Sequence, residues 1–175
     1  IGFVTAFRDI TSQYEKRKRI EYLSTHDELT GFYNRHYMQE SKNKLDNEEN
    51  LPLTIMIIDL NNLKLANDVF GHKKGDELLK KAAKFLTDTF RPQDIIGRIG
   101  GDEFAIILPK TPIEAAKKII KKIHKESYKY IAEPINLSLS VGFATKINPE
   151  ERIDSIIREA DADMYHDKQI NREMV

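Results

Sequence analysis

Two adjacent glycines followed by two carboxylates are the feature that most restricts how this chain can fold. The glycines at 100–101 lie between short runs rich in branched and aromatic residues, at 94–99 and 104–108. Glycine adopts positive φ angles at little cost, so the pair predicts a two-residue reversal between antiparallel strands. Asp102 and Glu103 then stand where the returning strand begins. An acidic rim of this kind suits a divalent cation that carries phosphates, although a solvated acidic turn explains the same pattern.

The composition limits the classes of function that this chain can have. Lys+Arg and Asp+Glu number 28 each among 175 residues, and a net charge of zero argues against binding to duplex nucleic acid. The absence of cysteine excludes disulfides, thiolate zinc sites and cysteine nucleophiles. No apolar run reaches transmembrane length, and no signal-peptide pattern is present. We therefore expect a cytoplasmic segment without a membrane span, in a protein that can carry an anchor upstream.

The first 25 residues differ from the rest of the chain. Residues 1–7 alternate like a strand that needs partners from outside this segment. The charged stretch at 13–23 predicts a helix that Thr11 or Ser12 can cap. A strand, an Asp-Ile-Thr step and a charged helix resemble the end of a PAS sensory domain and its outgoing signalling helix. An ordinary strand and helix is the alternative. We expect a domain boundary between 1–25 and 26–175.

The second domain opens with turn and cap signals and then a buried strand. Asp27 and Thr30 are typical of a turn, and Asn34 can cap a following helix. The continuous apolar run at 53–58 predicts a central strand that is buried on both faces. The run ends in Asp59, and a carboxylate there is costly unless it is paired or holds a metal. The alternative is that Asp59 caps the next helix.

The block at 59–76 carries polar residues of different chemistry before an amphipathic helix. Gly71 and Gly75 predict a loop that ends one short helix and starts the next, with Asp76 at the new N-terminus. The carboxylate of Asp76 offers two acceptors, which can take the N1–H and the N2 amine of a guanine edge. A helix cap explains Asp76 equally well.

The second half of the chain predicts a helix, a strand and a final helix. Pro112 opens a helix with an apolar stripe and a lysine-rich face, which we interpret as solvated. Residues 135–144 alternate like one strand, in which Gly142 indicates a bulge or a close backbone contact. A last amphipathic helix starts near Ile153. The order of strands and helices is that of an α+β fold, without βαβ repetition.

Four motifs in this order resemble the GGDEF-domain diguanylate cyclases. They are the hairpin at 98–104, the block at 59–76, the strand at 138–144 and the closing stretch at 160–168. The resemblance implies an α+β fold in which helices flank a five-stranded, mainly antiparallel sheet, as in the palm of nucleotide cyclases and polymerases. The implied reaction condenses two GTP into cyclic di-GMP and releases two pyrophosphates, in bacterial second-messenger signalling.

The resemblance also implies a metal site and catalytic residues. Two Mg²⁺ or Mn²⁺ ions per active site are expected, held by Asp59, the Leu60 carbonyl and Asp102, with support from Glu103. Asp102 is also the implied base for the attacking 3′-hydroxyl, and Lys64 is implied to stabilise charge on the phosphates. Such paired hard cations suit transfer of a nucleotidyl group.

Substrate contacts follow from the same resemblance. Asn67 and Asp76 are implied to read guanine, with His72 lining the same pocket. Lys168 and Arg172 are implied to hold the β- and γ-phosphates. Each half-site takes one GTP, so the resemblance implies a homodimer.

A possible inhibitory site precedes the hairpin. Arg91 and Asp94 form an R-x-x-D pattern, and the family carries its product-inhibition site for cyclic di-GMP at this position. An arginine can fork onto a guanine edge or a phosphate, while an aspartate can accept from guanine. A surface ion pair of small energetic value is the alternative.

The chain departs from the family pattern at four positions. Asn61 replaces the second aspartate, Leu63 replaces phenylalanine, and Asn171 and Glu173 replace glycine and asparagine around Arg172. None of these changes removes an implied metal ligand or base reader. A degenerate domain that senses GTP or cyclic di-GMP without catalysis is the alternative function, and a structural dimerisation module is a third class.

Overall fold

The computed structural model describes the backbone at 11–132 and 134–173 and the side chains at 13–130 and 134–170. Within these ranges it contains six α-helices and seven strands. In chain order they are α1 (Thr11–Thr25), β1 (Tyr33–Asn34), α2 (Arg35–Leu45), β2 (Leu53–Leu60), α3 (Leu63–Phe70), α4 (His72–Thr89), β3 (Ile95–Arg98), β4 (Glu103–Leu108), α5 (Ile113–Glu126), β5 (Ile131–Ala132), β6 (Ile135–Asn136), β7 (Leu139–Lys146) and α6 (Ile153–Glu173).

Five strands form one sheet in the order β1-β3-β4-β2-β7. The β1–β3 pair is parallel and the other three pairs are antiparallel. Strands β5 and β6 form a separate two-stranded ribbon. The predicted α+β fold with a five-stranded, mainly antiparallel sheet is therefore confirmed.

The central strand β2 explains why its sequence is a continuous apolar run. All eight of its residues are buried, between β4 on one side and β7 on the other. Successive side chains of a strand point to opposite faces. Met56 and Ile58 belong to the core cluster that includes residues of α3, α4 and α5. Ile55 and Ile57 belong to the cluster with residues of α2 and α6.

The start of α2 is capped as predicted. The Asn34 Oδ1 atom accepts a hydrogen bond of 3.0 Å from the Tyr37 backbone N–H. The Asn34 side-chain amide also donates 2.9 Å to the Ser24 carbonyl at the end of α1. A single residue therefore satisfies one terminus of each helix and connects the two helices.

A close backbone contact joins α6 to β7. A Cβ atom on Gly142 would lie 1.9 Å from the Met164 nitrogen and 2.2 Å from the Ala160 carbonyl oxygen. The close approach predicted at this glycine is confirmed. The Asp163 carboxylate accepts a 3.0 Å hydrogen bond from the Phe143 N–H, which covers part of the outer edge of β7.

Three local predictions are wrong. The hairpin loop has four residues, 99–102, and neither of its glycines has a positive φ angle. No loop spans 71–75, because Gly71 alone, at φ 83°, separates α3 from α4, and Gly75 is buried inside α4. The predicted strand at 135–144 is divided between β6 and β7, which lie in different sheets. In the last case the tertiary pairing partners override the local pattern, because β6 pairs with β5 whereas β7 pairs with β2.

The N-terminal region is described in part. The helix predicted at 13–23 is present as part of α1, whereas the strand predicted at 1–7 lies outside the described residues. No helix in the described part of the chain is long and apolar enough to cross a membrane.

Candidate active site

Two of the predicted carboxylates meet at one end of the sheet. Asp59 pairs across to Glu103 at the start of β4, and the Leu60 N–H donates 2.8 Å to the Asp102 carbonyl. Because Asp59 lies inside β2 and α3 begins at Leu63, Asp59 does not cap that helix. A cavity of about 400 Å³ opens here, lined by Asp59, Leu60, Asn61, Asn62, Leu63, Lys64, Leu65, Asp102, Ser138 and Lys168.

Two lysines bring positive charge to this acidic cavity. The Lys168 ammonium on α6 lies 2.6 Å from the Asp59 Oδ2 atom, although 109 positions separate the two residues in the chain. The Asp59 side chain is 5% exposed, so the ammonium offsets much of the desolvation of a buried carboxylate. Lys64, in the first turn of α3, is exposed at the rim. The cavity thus combines carboxylate oxygens with cations that can contact phosphates.

The turn between β2 and α3 includes lining residues that the sequence analysis did not predict. Asn62 has a left-handed backbone, with φ 63°, and leads into α3. The Asn61 amide donates 3.0 Å to the hydroxyls of Ser138 and Ser140. These hydrogen bonds link the end of β2 to the start of β7. Asn61 is the residue that stands where the family pattern has a second aspartate. Two successive asparagines after a strand are a turn signal that could have indicated this role.

The three residues implied to read guanine lie on α3 and α4, outside the lining of the cavity. Asp76 is the fifth residue of α4, so it is not the helix cap that the sequence allowed. The Asn67 carboxamide lies against Gly75, where a Cβ would be 2.0 Å from its Oδ1 atom. Asn67 therefore lies next to the helical turn that carries Asp76. His72 and Asp76 are exposed, and Asn67 is half-buried.

Arg98 connects the hairpin loop to the turn after α1. Its guanidinium donates 2.7 Å to the Gly101 carbonyl and 3.2 Å to each carboxylate oxygen of Asp27. Asp27 also accepts from the Thr30 backbone, at 2.9 Å, and from its hydroxyl, at 2.6 Å. This confirms the predicted turn, and it places Arg98 as the residue that holds the acidic loop in position.

The surroundings of Asp27 favour its ionised form. Burial by itself raises the pKa of this carboxyl, but the hydrogen bonds from Thr30 and the Arg98 guanidinium outweigh burial. The resulting pKa lies below the ordinary value of 3.8. The ionised Asp27 therefore stabilises the folded state.

We expect Asp27→Asn to lower the free energy of unfolding at pH 7 by about 1–3 kcal/mol, because hydrogen bonds to a charged acceptor are lost. Because the pKa of Asp27 is lowered in the folded state, wild type has its full excess free energy of unfolding over Asp27→Asn above pH 3.8. This excess declines as the pH falls toward the folded-state pKa. Urea unfolding at pH 7 and at a series of pH values that extends below 3.8 measures the difference. Glu49→Gln, an exposed carboxylate change, is the control and should have little effect. Equal stabilities of wild type and Asp27→Asn at pH 7 would contradict the assignment.

The residues of the R-x-x-D pattern lie at the opposite end of the sheet. The Arg91 guanidinium donates 2.8 Å to the Asp94 carboxylate and 2.7 Å to the Thr111 hydroxyl. The side chain of Asp94 is 1% exposed, whereas that of Arg91 is 44% exposed. In this conformation the guanidinium reaches the surface, and the Asp94 carboxylate does not.

The donor set at the cavity suits a hard divalent cation. Asp59, Asp102 and the backbone of Leu60 supply oxygen atoms, and the ammonium on Asp59 shows that this carboxylate accepts a cation. Among the described side chains, at 13–130 and 134–170, no group of three or more His, Asp or Glu converges that could hold a metal. Mg²⁺ is usually bound by one or two carboxylates together with substrate phosphates, so the residues present fit that ion.

The last predicted phosphate contact is described only in part. Residue Arg172 lies within the final turn of α6, but its side chain is outside the described side chains. Lys168, one helical turn earlier, lines the cavity.

The sequence matches the family model for the diguanylate cyclase GGDEF domain over residues 24–174. The chain therefore belongs to the GGDEF-domain diguanylate cyclase family. Members of this family generally use Mg²⁺.

Two curated relatives are similar to this chain over nearly all of its length. The chain is 35% identical over 179 residues to the probable diguanylate cyclase DgcC of Escherichia coli K12, covering 98% of this chain and 47% of that protein. It is 35% identical over 176 residues to the signaling protein YkoW of Bacillus subtilis 168, covering 94% of this chain and 22% of that protein. The chain thus spans less than half the length of these relatives.

A solved structure has the same fold. The coiled coil and GGDEF domain of DgcB from Caulobacter crescentus, in complex with c-di-GMP, superimposes with a TM-score of 0.80 at 23% identity. The match covers 92% of this chain and 89% of that chain.

Proposed function

We propose that this chain is a diguanylate cyclase that condenses two GTP into cyclic di-GMP. The observation that carries the proposal is the cavity in which Asp59 and Asp102 meet beside Lys64 and Lys168. In each of two steps, the 3′-oxygen of one nucleotide bonds to the α-phosphorus of the other, and pyrophosphate leaves. Acidic and basic groups that line one cavity suit this transfer, because it involves a hydroxyl proton and a triphosphate.

The roles of the cavity residues follow from their chemistry. Asp59, Asp102 and the Leu60 carbonyl would hold two Mg²⁺ or Mn²⁺ ions, with Glu103 in support. When bound, the ions neutralise phosphate charge and activate the hydroxyl. The Asp102 carboxylate takes the 3′-hydroxyl proton. Lys64 binds phosphate oxygens whose charge grows in the transition state.

Substrate recognition is proposed for α3, α4 and α6. Asp76 and Asn67 hydrogen-bond the guanine edge, and His72 lines the same side. Lys168 and Arg172 hold the β- and γ-phosphates as the triphosphate binds. The ammonium of Lys168 lies within 2.6 Å of Asp59, so it is already at the cavity that the triphosphate would enter.

Incubation of the protein with GTP and Mg²⁺, followed by chromatographic separation of the products, tests the proposed function. We expect cyclic di-GMP and two equivalents of pyrophosphate, and no product in the presence of a chelator. Binding of GTP or cyclic di-GMP without turnover would overturn the proposal in favour of a degenerate sensor.

Asp76→Ala should remove the preference for GTP over ATP. A site that hydrogen-bonds a substrate group rejects analogues that lack it, and adenine lacks the N2 amine and the N1–H. The ratio of kcat/KM for the two nucleotides measures the preference, which we expect to fall at least about tenfold. Glu77→Ala, one position further along the same helix, is the matched control and should keep the preference. Unchanged discrimination in Asp76→Ala would exclude Asp76 from base recognition.

We further propose product inhibition at Arg91. Its exposed guanidinium can fork onto a guanine edge or a phosphate of cyclic di-GMP, while Asp94 and Thr111 hold it in position. Because this end of the sheet is remote from Asp59, inhibition would act by bridging neighbouring domains rather than by blocking the cavity.

Arg91→Ala should weaken binding of cyclic di-GMP and raise the final product yield, without changing the initial rate. For wild type we expect a Kd in the micromolar range or tighter, about −8 kcal/mol or better. Calorimetry measures the affinity, and Arg158→Ala, an exposed arginine on α6, is the control. Equal affinities in wild type and Arg91→Ala would argue against the site.

The wider organisation is also proposed. Residues 1–25 would be the end of a PAS-like sensory domain and its signalling helix, and 26–175 the cyclase domain. The enzyme would act as a homodimer in the cytoplasm, without nucleic-acid partners, and an upstream sensor would control it.

A further inference from the structure

The most buried carboxylate of the cavity already has a cation beside it. The Lys168 ammonium lies 2.6 Å from the Asp59 Oδ2 atom, a distance typical of a strong charge-assisted hydrogen bond. The side chains of Lys168 and Asp59 are 23% and 5% exposed. Asp59 is also the carboxylate that is proposed to hold a divalent cation. An ammonium and a metal ion therefore compete for the same group.

The charged side chains that line the cavity balance one another. They are two aspartates and two lysines, namely Asp59, Asp102, Lys64 and Lys168. A divalent cation that entered by itself would therefore give the cavity an excess of positive charge. At a carboxylate as buried as Asp59, repulsion between that ion and the ammonium is only weakly screened. Asp59 therefore favours one of the two cations at a time.

A triphosphate changes this balance. Its negative charges offset those of a divalent cation, and its oxygen atoms offer the ammonium another partner in the same cavity. The lysine stem is flexible and its three donors rotate, so the ammonium can exchange a carboxylate for a phosphate by side-chain rotation. The backbone of α6 has little room to take part, because a Cβ on Gly142 would lie 1.9 Å from the Met164 nitrogen, one helical turn before Lys168.

We propose that Lys168 keeps Asp59 from taking a divalent cation until a triphosphate binds, so that metal and nucleotide enter the cavity together. This inference rests on the proposed function, which supplies both the metal and the triphosphate. Lys168 then controls the order of binding in addition to contacting phosphates. Because such coupling is reciprocal, removal of the ammonium should raise the affinity for metal alone and weaken the dependence of metal binding on nucleotide.

Mn²⁺ binding in the absence of nucleotide tests the competition directly. Lys168→Met should bind Mn²⁺ at least about tenfold more tightly than wild type, because the competing charge is gone. Electron paramagnetic resonance of free Mn²⁺ measures the affinity. Lys168→Arg keeps the cation and should bind Mn²⁺ as weakly as wild type. Lys64→Met, which removes the exposed lysine at the cavity rim, is the matched control and should raise the affinity much less.

A double variant shows whether the additional Mn²⁺ binds at Asp59. Asp59→Asn in the Lys168→Met background should return the affinity to the wild-type level or below it. Three results would each overturn the proposal: equal Mn²⁺ affinities of Lys168→Met and wild type, an equal gain in Lys64→Met, or tight binding that survives Asp59→Asn.

A measurement on wild type covers the case in which Lys168→Met does not fold, since that variant removes a counter-ion from a buried carboxylate. Mn²⁺ alone should leave the thermal unfolding midpoint of wild type unchanged. Mn²⁺ together with a non-hydrolysable GTP analogue should raise the midpoint beyond the rise with the analogue alone, because a ligand stabilises the fold that binds it. A wild-type midpoint that rises with Mn²⁺ alone would contradict the proposal.

These outcomes are distinct from those of the proposed function, because Mn²⁺ affinities are measured without nucleotide and without turnover. If wild type forms no cyclic di-GMP, the proposed function fails, and the Mn²⁺ affinities still confirm or contradict the competition at Asp59. If wild type is active, but Lys168→Met loses affinity for the GTP analogue and keeps the wild-type affinity for Mn²⁺, Lys168 is a phosphate contact alone. The inference then fails and the cyclase assignment stands.

Discussion

Asp102→Asn should abolish cyclic di-GMP synthesis while the protein remains folded. Asp102 lies in the hairpin loop at 99–102, is only half-buried and lines the cavity beside Asp59. The amide has nearly the same shape as the carboxylate, but it has no negative charge and cannot take a proton from the 3′-hydroxyl. Loss of a general base by itself reduces rates by about 100-fold or more, and loss of a metal ligand adds to this effect.

The rate of product formation and the thermal unfolding midpoint measure the two parts of this expectation. The midpoint should stay close to that of wild type, because no core contact is removed. Asp161→Asn, an exposed aspartate on α6, makes the same chemical change away from the cavity and should keep full activity. An Asp102→Asn protein that forms product at the wild-type rate, with unchanged metal dependence, would remove Asp102 from the site.

Gly142→Ala should produce the largest loss of stability among single-methyl additions to the glycines that the structure describes. The new Cβ would lie 1.9 Å from the Met164 nitrogen and 2.2 Å from the Ala160 carbonyl oxygen, far inside van der Waals contact. Both neighbours are backbone atoms of α6, so no side-chain rotation relieves the overlap. The helix must move away from β7, and overpacking of this kind typically destabilises by about 1–3 kcal/mol, occasionally more.

Urea unfolding of Gly142→Ala and of Gly101→Ala compares a glycine that is packed against backbone atoms with a glycine that has free space around it. A Cβ on Gly101 would meet no atom within 4 Å, so that variant should unfold close to wild type. Gly142→Ala should also displace Lys168 from the cavity that it lines, because Lys168 lies one helical turn beyond Met164 on the same helix. Equal stabilities of the two variants would show that α6 does not pack on β7 as the structure has it.

Local sequence determined those features whose causes lie within a few residues. The run at 53–58 predicts a buried central strand because every position is apolar, and β2 has no exposed residue. Asn34 predicts a cap because its side chain reaches an N–H three positions away. Gly142 indicates close packing because the missing side chain leaves room for a helix. The motifs around Asp59 and Asp102 also identified the family, which the family match confirms.

Tertiary structure decided how distant segments meet. Arg98 holds the hairpin loop against Asp27, 71 positions away, and Lys168 lies on Asp59 across 109 positions. Neither contact has a local signal, because each depends on how helices and loops pack around the sheet. The predicted strand at 135–144 is divided for the same reason: β6 finds its partner in β5, whereas β7 pairs with β2. Local pattern specifies the elements of this chain, but the charge pairs at its site exist only once the sheet brings strand ends and helix faces together.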